Sequence, residues 1–60
     1  MKRKYYNYAD ILLGYGKAKG MSNSAILEMA YIFADGYSAI SKKFDREKWL
    51  SYIFKIVMNL

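Results

Sequence analysis

The sequence predicts an all-α fold: a compact three-helix bundle with helices over about 8–19, 24–42 and 46–58. Three observations carry that reading. Apolar residues recur at spacings of three and four in three successive segments, the period of one helical face. Proline is absent, so nothing hard-breaks a helix. The joints hold capping chemistry instead: Gly20, then Ser22, Asn23 and Ser24, and later Asp45.

The first helix places Tyr8, Ile11, Leu12 and Tyr15 on one face, with Asp10, Gly14 and Lys17 opposite. Gly14 and Gly16 each cost roughly 1 kcal/mol of helix propensity against Ala. This helix is the weakest of the three unless those glycines let another element approach closely. Gly20 is placed as its C-terminal cap, behind Lys17 and Lys19, whose charges suit the negative end of the helix dipole.

In the second helix, Ile26, Met29, Phe33, Tyr37 and Ile40 form an apolar stripe, with Glu28, Tyr31, Asp35, Ser38 and Lys42 across from it. Ser22, Asn23 and Ser24 are all competent N-caps. Gly36 marks either a bend or close packing. The third helix opens on Asp45 as N-cap. Phe44 and Trp49 occupy the two positions of a hydrophobic staple, and Glu47 suits the positive dipole end. From Trp49 through Leu50, Tyr52, Ile53, Phe54, Ile56, Val57 and Met58 to Leu60, apolar residues surround the helix. A helix of that kind must be covered on most sides. The composition of "YIFKIV" also suits a strand, but the cap upstream favours helix.

Sixty residues make one small helical domain, 1–60, with 1–6 read as a flexible basic and aromatic arm. A chain this short buries only about 60% of its unfolded surface, so small folds normally add a staple. There is no Cys and no His, which excludes disulfides and thiolate metal sites and removes the usual general base. Seven Tyr, three Phe and one Trp leave dense aromatic packing and self-association as the available staples. Tyr, Trp, Phe and Met are also the residues enriched at protein interfaces.

The charge is +5, from ten Lys and Arg against five Asp and Glu. It favours an acidic partner. "MKRK" is followed by "YYNYAD" where a secretory signal needs an apolar stretch, so a cytoplasmic location is expected. Trp49 to Leu60 contains Lys55 and falls well short of the roughly 20 apolar residues of a membrane span. A cationic segment lying in a membrane interface is a third, weaker reading.

The segment Gly16, Gly20, Met21, Ile26 resembles the helix-turn-helix of small repressors in its spacing of small, glycine and apolar positions. It departs from that pattern at Lys19, where an apolar residue is usual. The resemblance implies a second helix that reads bases, and Asn23 and Ser24 would serve, with Lys17 and Lys19 on phosphates. Glu28 opposes that use. Lys2, Arg3 and Lys4, with Tyr5, Tyr6 and Tyr8, combine phosphate-seeking charge with stacking surface, as single-strand binders do. In "SKKFDREKW" the cations Lys42, Lys43, Arg46 and Lys48 are diluted by Asp45 and Glu47.

Catalysis has little to build on. Five carboxylates and the lysines are the only possible bases, Glu28 and Asp35 stand two turns apart, and "GYGKAKG" lacks the order of a phosphate-binding loop. No cofactor or metal is implied. The expectation is a small non-enzymatic protein that occludes or modulates a macromolecular partner, as small inhibitors and regulators of phages and mobile elements do. Trp49, Tyr52, Phe54 and Lys55 are the expected contact residues, toward a protein partner or a second copy of the chain in a homodimer. The alternative is a small DNA-binding transcriptional regulator built on the Gly20 turn, using Lys2, Arg3, Lys4, Lys17, Lys19, Asn23 and Ser24.

Overall fold

The computed structural model describes residues 1–58. Its helices are α1 (Arg3–Ala18), α2 (Asn23–Ile40) and α3 (Arg46–Met58), and no strand occurs among the described residues. Tyr5 packs on Tyr37 while Gly16 meets Ile26, so α2 runs back along α1. Trp49 bonds Tyr5 and Tyr52 bonds Asp10, so α3 runs in the sense of α1. The bundle is up-down-up. Leu60, part of the expected apolar run, lies outside the described residues.

α1 begins at Arg3, five residues before the expected start, and the arm assigned to 1–6 is largely its first turn. No side chain caps this end and its first turn holds no acid, so capping logic gives no sign of it. Tertiary contact holds it instead. Tyr5 is 6% exposed, its ring lies 4.8 Å from that of Phe44, and its carbonyl accepts the Trp49 indole N–H at 2.6 Å. That buried bond joins positions distant in sequence and fixes α3 on α1.

The other end of α1 closes as the capping residues require. Gly20 has φ +67°, the left-handed region glycine enters without a Cβ penalty. Its N–H donates to the Lys17 carbonyl at 3.1 Å, and the Met21 N–H donates to that of Gly16 at 2.9 Å. These two bonds make a Schellman closure. Of the three candidate caps for α2, the structure selects Ser22, whose hydroxyl accepts from the Ala25 N–H at 3.2 Å. α2 ends at Ile40, two residues early, because Ser41 is extended (φ −142°, ψ 117°). α3 starts where expected. The Asp45 carboxylate accepts from the Lys48 N–H at 3.0 Å, and the stapling rings of Phe44 and Trp49 stand 5.7 Å apart.

The core differs from the expected stripes. On α1 the buried residues are Tyr5, Ala9, Leu12 and Gly16, and on α2 they are Ile26, Ala30 and Ala34. Trp49 and Ile53, both wholly buried, complete the centre from α3. Alanine and glycine sit inside because three short helices must approach closely around one large indole. Leu12 and Ile26 of the expected stripes are buried, but their other large apolar residues are pushed sideways. Met29 and Tyr37 are half-buried, whereas Tyr8, Ile11, Tyr15, Phe33 and Ile40 are exposed. Of the glycines, Gly16 is the one held in close contact: a Cβ there would stand 2.6 Å from Cγ1 of Ile26. Gly14 and Gly36 would meet nothing within 4 Å, so Gly36 is not a close-packing site.

Candidate partner-docking groove

The displaced residues line a groove between α1 and α2. Tyr8, Ile11, Leu12 and Tyr15 come from α1, Met29, Phe33 and Tyr37 from α2, and Trp49 from α3, around about 470 Å³. Leu12 and Trp49 belong to the core and form its base. The contact of Gly16 with Ile26 pins the helices together beside one end. At the other end the stacked rings of Tyr8 and Tyr37, 5.6 Å apart, bridge them. Tyr8 is 40% exposed, Phe33 45%, Tyr15 52% and Ile11 68%, so the groove opens to solvent along its length.

Tyr37 organises this region. Its ring lies 5.3 to 6.3 Å from those of Tyr5, Tyr8, Phe33, Phe44 and Trp49. Such offset and edge-on pairs are worth about 0.5–1.5 kcal/mol each beyond area burial. Burial raises the Tyr37 phenol above its ordinary value, with the neighbouring Tyr8 and Tyr5 adding to the rise. None of the residues lining the groove is charged. Its chemistry is contact and shape, with no acid–base pair.

Lysines stand at both ends of its α1 wall. Lys4, Tyr8, Ile11, Tyr15 and Lys19 follow one another at spacings of four, three, four and four, which puts them along one side of the helix. The Lys19 ammonium lies 5.8 Å from the centre of the Tyr15 ring, and that of Lys4 lies 5.4 Å from the Tyr5 ring. The acids of α2 point elsewhere: Asp35 accepts from Arg46 of α3 at 3.0 Å, and Glu28 lies seven residues away on the same outer side.

The four expected contact residues do not form one surface. Trp49 is wholly buried, as its staple position requires, so it is not available as a partner contact: its indole N–H is engaged by the Tyr5 carbonyl of α1. Tyr52 is half-buried, turned toward α1, with its hydroxyl donating to Asp10 at 2.7 Å and its ring 5.0 Å from that of Tyr6. The hydrogen bond to Asp10 raises the Tyr52 phenol above its ordinary value; desolvation and the Asp10 charge add to this, and Arg3 opposes it. Phe54 and Lys55 are exposed and line a smaller groove of about 340 Å³ with Leu27, Tyr31, Leu50 and Ser51. That groove lies between α2 and α3, away from Tyr52.

Lys2, Arg3, Lys4, Lys17, Lys19, Asn23 and Ser24 are all exposed. They fall into two groups. Lys17, Lys19, Asn23 and Ser24 surround the Gly20 turn, while Lys2, Arg3 and Lys4 stand about 20 Å away at the other end of α1, at about 1.5 Å per residue. The packing of Tyr5 on Phe44 brings that second group to the end of the bundle where Lys42 and Lys43 lie.

Among the described residues, no group of three or more acidic side chains could hold a metal ion, and no helix is long and apolar enough to cross a membrane. Comparisons with protein-family models, with curated proteins and with solved structures each find no match to this chain.

Proposed function

We propose that this chain is a small, non-enzymatic binding protein that occludes or modulates a macromolecular partner, engaging it through the α1–α2 groove. The observation that supports this reading is the displacement of Tyr8, Ile11, Tyr15 and Phe33 out of the core and onto one open face. Taking about 200 Å² per aromatic side chain, Tyr8, Tyr15 and Phe33 leave about 270 Å² of aromatic surface open. Ile11 extends it. An apolar patch of this order is at the size where a monomer's largest patch is commonly functional, and Tyr and Phe are the side chains that anchor interfaces. Inhibitors and regulators carried by phages and mobile elements are the biological class this chemistry suits, acting in the cytoplasm.

The test is affinity capture with wild type and Ile11→Asp. Ile11 is two-thirds exposed, so the variant should melt within a few degrees of wild type, consistent with an exposed site. Loss of the captured partner with the fold intact supports the groove. Undiminished capture sinks it.

The second reading is a DNA-binding regulator, and its supporting observation is that all seven of its expected contact residues are exposed. Binding carried by several phosphate contacts should fall by orders of magnitude between about 50 and 200 mM salt. Binding carried by the aromatic groove should change little over that range.

A further inference from the structure

Resting on the docking reading, the charge around the groove identifies what kind of partner fits it. The apolar part of the α1 wall, Tyr8 to Tyr15, is about 10 Å long at a rise of about 1.5 Å per residue. That length matches the reach of an i, i+4, i+7 set of anchors on one helix. Beyond each end stands a lysine, Lys4 and Lys19, about 22 Å apart along α1. The lining itself carries no charge. The only acid on α1 is Asp10, and it is turned away to Tyr52 on α3.

We propose that the groove takes an acidic amphipathic helix, apolar along one face and carrying carboxylates near both ends. The groove between the first two helices of this up-down-up bundle offers a seat along which a fourth helix can pack. A second copy of the chain is the poorer occupant. Each copy carries +5, and laying α1 of one against α1 of another gathers four lysines without a carboxylate of that face to offset them. Like charges brought together oppose association.

The probes are two labelled helical peptides of about 16 residues, the length that spans Lys4 to Lys19. Both carry leucines at i, i+4 and i+7; one has glutamates in its first and last turns and the other has lysines there. Binding is read by fluorescence anisotropy to wild type, to Ile11→Asp and to the double variant Lys4→Glu/Lys19→Glu, with thermal melts verifying each fold. Two exposed ion pairs made or reversed correspond to about tenfold in affinity. Wild type should therefore prefer the glutamate peptide by about tenfold at low salt, with the preference shrinking in about 1 M salt. The double variant should prefer the lysine peptide, and Ile11→Asp should bind neither.

Equal affinity for the two peptides, lost in Ile11→Asp, overturns the acidic occupant and leaves the groove as a docking site. Binding unchanged in Ile11→Asp overturns the docking reading itself. Sedimentation as a dimer that Ile11→Asp dissociates assigns the groove to a second copy, and overturns the acidic-helix proposal.

Discussion

Single residues show how little slack this small core has. Trp49 is both its largest buried side chain and the donor that ties α3 to the Tyr5 carbonyl. Trp49→Ala should cost about 3–5 kcal/mol, read as a large fall in melting temperature or outright unfolding. Gly16→Ala drives a methyl group into the Ile26 side chain and should destabilise by about 1–3 kcal/mol, although alanine is the better helix former. Tyr52 gives a pH signature. Its phenol is raised above 10.0 in the fold, first by the hydrogen bond to Asp10, so the folded state favours the neutral form. That stability is complete below the unfolded value of about 10 and is lost as pH rises through the higher folded value. Tyr52→Phe should therefore melt lower than wild type at pH 7 and lose less stability above pH ~10. Equal alkaline slopes would show the bond is unimportant.

Capping and propensity act at the scale of the helices. Asp45→Ala removes the α3 cap and should cost about 1 kcal/mol, and Gly20→Ala should cost a similar amount at its positive φ. Gly14 is the opposite case. It is mid-helix, exposed and free of neighbours within 4 Å, so Gly14→Ala should stabilise by up to about 1 kcal/mol. A chemical-denaturation series on the three variants checks all these signs at once. The same elements show what was legible in the sequence. The Gly20 closure, the Asp45 cap and the Phe44–Trp49 staple were readable because each is a local motif. The start of α1 was not, because Lys2 caps nothing and Tyr5 is held from positions 37, 44 and 49. The faces were misjudged for a related reason. Periodicity weights large apolar side chains, whereas here Ala9, Ala30 and Ala34 are wholly buried to make room for one indole.

For the whole molecule, the consequence of that exchange is an uncovered apolar side. Three short helices packed around Trp49, Ile53 and the alanines leave much apolar surface outside: Tyr8, Ile11, Tyr15 and Phe33 between α1 and α2, with Tyr31, Phe54, Ile56 and Met58 exposed elsewhere. The sequence signalled a surplus of apolar surface on the third helix, where Phe54, Ile56 and Met58 are exposed, and named Trp49, Tyr52, Phe54 and Lys55 as its contact residues. Only a fold places two of those four toward α1 and opens the groove elsewhere. The groove's role as a docking surface is most directly tested by amide chemical-shift mapping of the isotopically labelled chain, titrated with the glutamate-flanked peptide. The largest shifts are expected on Tyr8, Ile11, Tyr15, Phe33 and Tyr37, with Leu27, Phe54 and Lys55 little changed. Shifts centred on Leu27, Phe54 and Lys55, with the α1–α2 face silent, would contradict it.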